Sequence, residues 1–325
     1  MSIAAYFASL NPANLIKGIP GSVAQGIVWG LMALGVYITF RLLDIADLTV
    51  DGSFTTGGAV TVTLILMGCP AWAALLVAIV AGLLAGLVTG LLHTKLGIPA
   101  ILAGILTQFA LYSVNLHIMG GWKGAANKSV NPDQYALLIS LRHVPKAIIV
   151  GAVAAAVIIA VLYWYFGTEQ GSAIRATGSN PAMSRAQGIN INSMKVLGLA
   201  ISNALVALSG GLMAQYQGFS DINMGRGSIV IGLAAVIIGE TLCDAFFRKG
   251  SSFSTRLIFL VIGGIVYYVV VGVVLWLRLP SNDLKLFTAA VVAVFLAVPY
   301  LQKQAKSSFR QAGKAALKEE GTTHA

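Results

Sequence analysis

The chain reads as an all-α polytopic transmembrane bundle of about 8–10 spans, some short or broken. Three observations carry that reading. Of 325 residues, 57% are hydrophobic and only 10% charged, against about 25% charged in soluble domains. Mean hydropathy is +0.84. Apolar runs of about 18 residues or more recur, the length needed to cross about 30 Å of hydrocarbon.

Taken in order, spans are expected over 22–40, 52–68, 71–92, 98–118, 146–166, 194–214, 227–242, 256–278 and 284–301. The first begins near Ser22, behind Pro12, Lys17 and Pro20, with no small-residue cleavage pattern after it, so it reads as a retained span rather than a signal peptide. The second and seventh are short, which suits tilted, re-entrant or half-length helices. The apolar stretch Tyr135–Leu141 has room for a further half-span. The chain divides into an N-terminal segment 1–21, a transmembrane domain 22–301 with a polar loop at about 167–193, and a basic tail 302–325.

The net charge of +10 belongs to orientation and lipid headgroups rather than to nucleic acid. In the tail, Lys303, Lys306, Arg310, Lys314 and Lys318 outnumber Glu319 and Glu320, which places it in the cytoplasm. Counting back through the spans puts 243–255 (Arg248, Lys249), 167–193 (Arg175, Arg185) and His93–Lys95 on the same side. The region 119–145 then falls outside, despite Lys123, Lys128 and Arg142, and the side of the N-terminus stays open. Cys69 and Cys243 offer neither a disulfide framework nor metal spacing, and the four histidines are scattered, so no metal or other cofactor is expected.

The loop GTEQGSAIRATGSNPAMSRAQGINI is the most informative stretch. Asn180 is suited to cap a helix, Pro181 to occupy its first position, and Gly188 to end it in the left-handed conformation. The helix so bounded, Ala182–Gln187, has about two turns and needs a partner surface to be stable. Such a helix on the aqueous side suits a transporter that receives force from a soluble motor. Elsewhere, Gly82, Gly86 and Gly90, and Gly26 with Gly30, make small-residue faces for close helix packing, chiefly within the subunit.

Two further stretches hold polar groups at membrane depth. In RLLDIADLTVDGSFTTGGAV, Asp44, Asp47 and Asp51 precede Ser53 and Gly57–Gly58. Carboxylates there face a cavity or a partner, and glycines and hydroxyls permit a broken helix. In a continuous helix the three would share one face; the alternatives are capping of broken helix ends and a solvated interfacial loop. In SGGLMAQYQGFSDINMGRGS, Gln215, Tyr216, Gln217, Asp221, Asn223 and Arg226 suggest a polar hairpin at the mouth of a pathway, or an ordinary loop. Catalytic motifs are missing. GWKGAANKS lacks the glycine a phosphate loop needs before its lysine, and HExxH, GxSxG and CxxC do not occur. An ATP-driven mechanism therefore requires a separate ATPase chain.

The order of RLLDIADLTVDGSF, LLHTKLGIPAILAGILTQFALYSVNLHIMGG, AIRATGSNPAMSRAQGINI, SGGLMAQYQGF, GLAAVIIGE and LPSNDLKLFTA resembles the inner-membrane permeases of ATP-binding-cassette importers over about residues 20–300. It is most similar to the branched-chain amino acid and ribose-type superfamily, and within it to the branch of tryptophan/tyrosine-type and uncharacterised amino acid permeases. The resemblance implies a permease homodimer in the bacterial cytoplasmic membrane, two cytoplasmic ATP-binding-cassette ATPases and an extracytoplasmic solute-binding protein. It implies ATPase coupling through Arg175, Ala176, Gly178, Asn180, Pro181, Ala186, Gly188 and Ile189, to which the residue reading adds Arg185, and a solute route near Asp47, Asp51, Gly52 and Ser53. Asp44, Gln215 and Tyr216 join that route from the residue reading. The function expected is inward transport of a small solute, an aromatic or other amino acid. Nucleosides or sugars, or an ion-coupled secondary transporter using the aspartates, are the alternatives.

Overall fold

The computed structural model describes residues 12–247 and 252–277, with isolated helical positions between 286 and 297. The chain divides into units 1–278 and 279–325. The expected span 284–301, the tail, and Arg248 and Lys249 lie outside the described residues.

Among the described residues of the first unit there are ten α-helices. They are α1 (Pro12–Tyr37), α2 (Thr49–Leu66), α3 (Ala71–Thr94), α4 (Ala100–Gly120), α5 (Val144–Gly167), α6 (Glu169–Ser179), α7 (Pro181–Ala186), α8 (Ile191–Gln217), α9 (Ser228–Phe246) and α10 (Phe253–Trp276). Seven of them, α1, α3, α4, α5, α8, α9 and α10, are long and apolar enough to cross a membrane. Helix α1 begins at Pro12 rather than near Ser22, and Pro20 sits inside it without ending it. The expectation of a half-span in Tyr135–Leu141 is not met. That stretch is irregular, with Ile139 buried and the Leu138 N–H donating to Gln215 Oε1 at 3.0 Å.

Helix α2 stands at the centre. Almost every one of its 18 residues is buried, including Thr49, Ser53, Thr55, Thr56, Thr61 and Thr63. A span this rich in hydroxyls would be poor against lipid, but here the surrounding helices shield it. Thr56 Oγ1 donates to the Gly52 carbonyl at 2.9 Å, and Thr63 Oγ1 reaches the Ile118 carbonyl of α4 at 3.2 Å. Small residues let the neighbours close in. A methyl placed on Gly57 would overlap the Ala207 carbonyl of α8, and one on Gly210 would overlap the Phe54 carbonyl of α2. The faces foreseen for Gly82, Gly86 and Gly90 and for Gly26 and Gly30 pack inside the subunit, against α8 and α10 respectively.

The two ends of the bundle differ. At one end, β1 (Asn127–Ser129) pairs antiparallel with β2 (Phe219–Asp221), and the Tyr216 hydroxyl donates to the Gly21 carbonyl at 3.4 Å. The start of α1 therefore lies at this end. At the other sit α6 and α7, the end of α3 and the starts of α4 and α8. There His93 Nδ1 lies 2.9 Å from the Ile98 carbonyl oxygen and Nε2 3.3 Å from Lys195 Nζ, which ties the end of α3 to the start of α8. Arg41 pairs with Glu240 at 2.9 Å at that end too.

This arrangement sets a labelling pattern. Cys69 is exposed in the α2–α3 turn at the β-pair end, whereas Cys243 is buried. A membrane-impermeant thiol reagent added to intact cells is expected to modify Cys69 in the native protein. With Cys69→Ser as background, a cysteine at Ser172 should react only after the membrane is opened. Labelling at position 172 from outside would reverse the topology.

Candidate coupling and translocation site

The site begins where α1 stops being an α-helix. Residues Ile38–Leu42 form a π-helical turn, closed by the Leu43 N–H donating to the Ile38 carbonyl at 3.0 Å. Such turns are frequent at functional sites. Asp44 follows in the left-handed region at φ +55°, which a short polar side chain tolerates better than most, and it is exposed. The chain then crosses to Thr49 without helical hydrogen bonding along 43–48.

Asp47 closes that gap. It is 2% exposed, its Oδ1 accepting from the Thr49 N–H at 2.9 Å and its Oδ2 from Asn203 Nδ2 at 2.7 Å. Asn203, wholly buried in the middle of α8, uses its other amide proton on the Leu199 carbonyl at 2.9 Å and accepts from Ser53 Oγ at 2.6 Å. Its carboxamide is therefore fully engaged. Alongside runs a ladder of buried hydroxyls, Thr49 to Thr89 at 2.7 Å and Thr89 to Thr107 at 2.9 Å, which ties α2 to α3 and α4.

Asp51 has a different role. Its Oδ2 accepts from the Gly227 N–H at 2.9 Å, and its Oδ1 from Ser228 Oγ at 2.8 Å and the Ile229 N–H at 3.0 Å. A carboxylate here satisfies free N–H groups and complements the positive end of the α9 dipole. Helix α9, the short seventh span, therefore starts against the first turn of α2. The three aspartates do not share a helix face, because the helix is broken between them: Asp44 meets solvent, Asp47 the core, Asp51 the start of α9.

Gln215 and Tyr216 do not lie in a hairpin. They form the last turn of α8 and are each 1% exposed. Gln215 braces 138 and Ala71, to whose carbonyl its Nε2 donates at 3.5 Å. No local hairpin follows them: Gly218 takes the left-handed C-cap, and the next residues, Phe219–Asp221, pair with the remote strand β1.

The polar loop folds as its caps require. Asn180 Oδ1 accepts from the Met183 N–H at 3.0 Å, and Pro181 takes the first position of α7. At the other end Gly188, at φ +81°, donates to the Arg185 carbonyl at 3.0 Å and Ile189 to the Ser184 carbonyl at 3.1 Å, the paired bonds of a Schellman motif. In α7 only Ser184 is buried; Met183 is 62% exposed and Arg185 is exposed. The preceding helix α6 was not foreseen. Thr168 Oγ1 caps it, and Ile174 and Thr177 bury its inner face. Its Gly178 lies so close to the π turn that a methyl there would overlap the Leu42 carbonyl. Arg175 donates to Ser172 Oγ at 3.3 Å and stacks over Phe253 at 5.6 Å.

Sequence reading missed Asn203, Thr89 and Thr107. The signal available was an asparagine inside an otherwise apolar span, since a polar residue at that depth has a partner. No cluster of metal-ligating side chains occurs among the described residues.

With this geometry in view, residues 19–299 match the model of the branched-chain amino acid transport system permease component family. The chain belongs to this family. It is a permease subunit of an ABC-type importer, a multi-pass protein of the bacterial inner membrane, and not an enzyme. A tyrosine transport system permease protein of Clostridioides difficile is 39% identical over 298 residues, covering 90% of this chain and 95% of that one. An uncharacterised protein of Rickettsia prowazekii is 31% identical over 277 residues, covering 85% and 95%. A ribose import permease protein of Escherichia coli is 26% identical over 228 residues, 70% of each chain. In fold, the permease is similar to a chain of PsaBC from Streptococcus pneumoniae, solved in complex with Fab, with a TM-score of 0.50 and 16% identity over 88% of this chain and 94% of that one.

The Asp47–Asn203 pair generates a double-mutant test. Asp47→Ala and Asn203→Ala should each lower the thermal unfolding midpoint of the detergent-solubilised permease, since each leaves a buried partner unsatisfied, at about 1–3 kcal/mol. The double variant should lose clearly less than the two losses added together. Additive losses would mean that the two side chains act independently.

Proposed function

We propose that this permease carries an aromatic amino acid inward as a homodimer, driven by two cytoplasmic ATPases and supplied by an extracytoplasmic binding protein. One observation carries the reading. The exposed helix α7, capped at both ends, directly follows α6, whose Gly178 lies against the π turn that leads into the central helix α2. A two-turn helix has no stability of its own, so its fixed shape and bare outer face suit a socket on another protein. The amino acid as solute is supported by the similarity to the tyrosine transport permease, which exceeds that to the ribose permeases.

The mechanism follows from the contacts. ATP binding draws the ATPases together and displaces α7. Helix α6 transmits the displacement because Gly178 touches the Leu42 backbone with no side chain between to absorb it. The π turn and the segment 43–48 then shift relative to Asp47, and with them the start of α2 and the α9 terminus that Asp51 holds. The ATP-driven reading is favoured over an ion-coupled one because Asp47 and Asp51 are engaged by internal donors and Asp44 faces solvent outside the core. In this reading Arg175, Gly178, Asn180, Pro181, Arg185 and Gly188 shape and present the coupling surface, while Asp47, Asp51 and Ser53 hold the moving parts beside the solute route.

Gly188→Leu tests the coupling role. A bulky side chain at a left-handed residue opens the Schellman turn and misorients α7. Membrane insertion and the unfolding midpoint should stay near wild type, while ATP-driven uptake of L-tyrosine by the reconstituted complex falls at least tenfold. Normal coupled uptake would remove α7 from the mechanism.

A further inference from the structure

A pocket of about 150 Å³ lies between the first turns of α2, the middle of α4 and the loop before α9, lined by Asp51, Gln108, Phe109, Tyr112, Asn115 and Arg226. Gln108 is about 12 Å along α4 at 1.5 Å per residue, so the pocket opens beside the middle of a span. Two of its groups have no internal task. Asn115 is 1% exposed, yet its Oδ1 has no hydrogen-bond partner. Arg226 is exposed and belongs to neither of the ion pairs among the described residues. It does not neutralise Asp51, whose oxygens already serve the start of α9.

A free guanidinium halfway along a span is costly against lipid, so this face opens to water or to a partner subunit. The set of groups then selects a ligand. Arg226 offers a planar donor fork for a carboxylate. Asn115 Oδ1 and Gln108 offer acceptors for an ammonium group, and the Asp51 charge nearby favours a cation and disfavours a bare anion. Phe109 and Tyr112, 70% and 43% exposed, supply flat apolar surface beside them.

We propose that this pocket is the head-group subsite of the solute, taking an α-amino carboxylate. Arg226 holds the carboxylate, Asn115 and Gln108 hold the ammonium, and an aromatic side chain lies against Phe109 and Tyr112 outside the small cavity. The proposal rests on the amino acid reading above and adds to it a place and a recognition chemistry. Only a few contacts are made, which allows the release that transport requires.

The test uses the complete transporter in proteoliposomes, with a charged thiol reagent and with Cys69→Ser and Ile222→Cys in the permease, Ile222 being a lining residue that takes no part in the proposed binding. The new cysteine should react, because the pocket is aqueous. L-Tyrosine should slow the reaction at least fivefold, whereas tyramine, which lacks the carboxylate, and 3-(4-hydroxyphenyl)propanoate, which lacks the ammonium, should not. Arg226→Gln should abolish this protection with an unchanged unfolding midpoint, and Arg226→Lys should keep part of it. An unreactive cysteine, or equal protection by tyramine, would overturn the subsite. ATP-driven uptake of L-tyrosine by the unmodified permease separates the two readings. Uptake without protection leaves the importer standing and removes the subsite; protection without uptake keeps the subsite and removes the importer reading.

Discussion

An interrupted helix in the middle of a membrane protein must satisfy its own backbone, because no water is at hand to do so. Asp44 and Ala46 in the break are exposed, but at the buried start of α2 that condition is met by Asp47. Its carboxylate accepts from the first free N–H of α2 and is held by Asn203 from α8, which in turn holds Ser53 one turn further along α2. The rest of the arrangement depends on this node. It lets the chain turn back inside the bundle, it brings α2 against α8 closely enough to require glycine at 57 and 210, and it leaves α2 surrounded by protein, where threonines are tolerated.

In the proposed mechanism the same node lets α7 act on the proposed solute route without a long lever. The backbone of α6 at Gly178 rests on the π turn, the π turn leads into the break, and the break leads into α2. From there Asp51 grips the start of α9, whose preceding loop forms one wall of the pocket with Arg226. Each step is a backbone contact or a hydrogen bond to a helix end, so motion at one end has little slack in which to be lost.

Much of this was legible in the sequence. The caps of the polar loop 167–193, an island between apolar spans, were readable to the residue because capping is local chemistry: Asn180, Pro181 and Gly188 act on neighbours within four positions. Seven of the expected spans followed from apolar run length, whereas α2 is too rich in hydroxyls and glycines to join them and 284–301 lies outside the described residues. What failed was non-local. Helix α6 was missed because its residues are polar and small, and its stability comes from packing against Leu42 and Phe166, which sequence does not display. The aspartates seemed to share a face only if the helix ran through; the break gives each a separate setting. Gln215 and Tyr216 looked like loop residues because polarity was the only cue, whereas their partners at 138, 71 and 21 are remote. Asn203 showed itself only as a polar residue in an apolar run, and Arg226 only as one polar residue among several.

The claim that the island and the helix break move as one unit is open to direct measurement. Hydrogen–deuterium exchange of the assembled transporter, compared with and without a non-hydrolysable ATP analogue, reads the backbone of both regions at once. Coupling through Gly178 and Leu42 predicts that protection changes together in 169–190 and in 38–49. A change confined to 181–190, with the break unaltered, would contradict it.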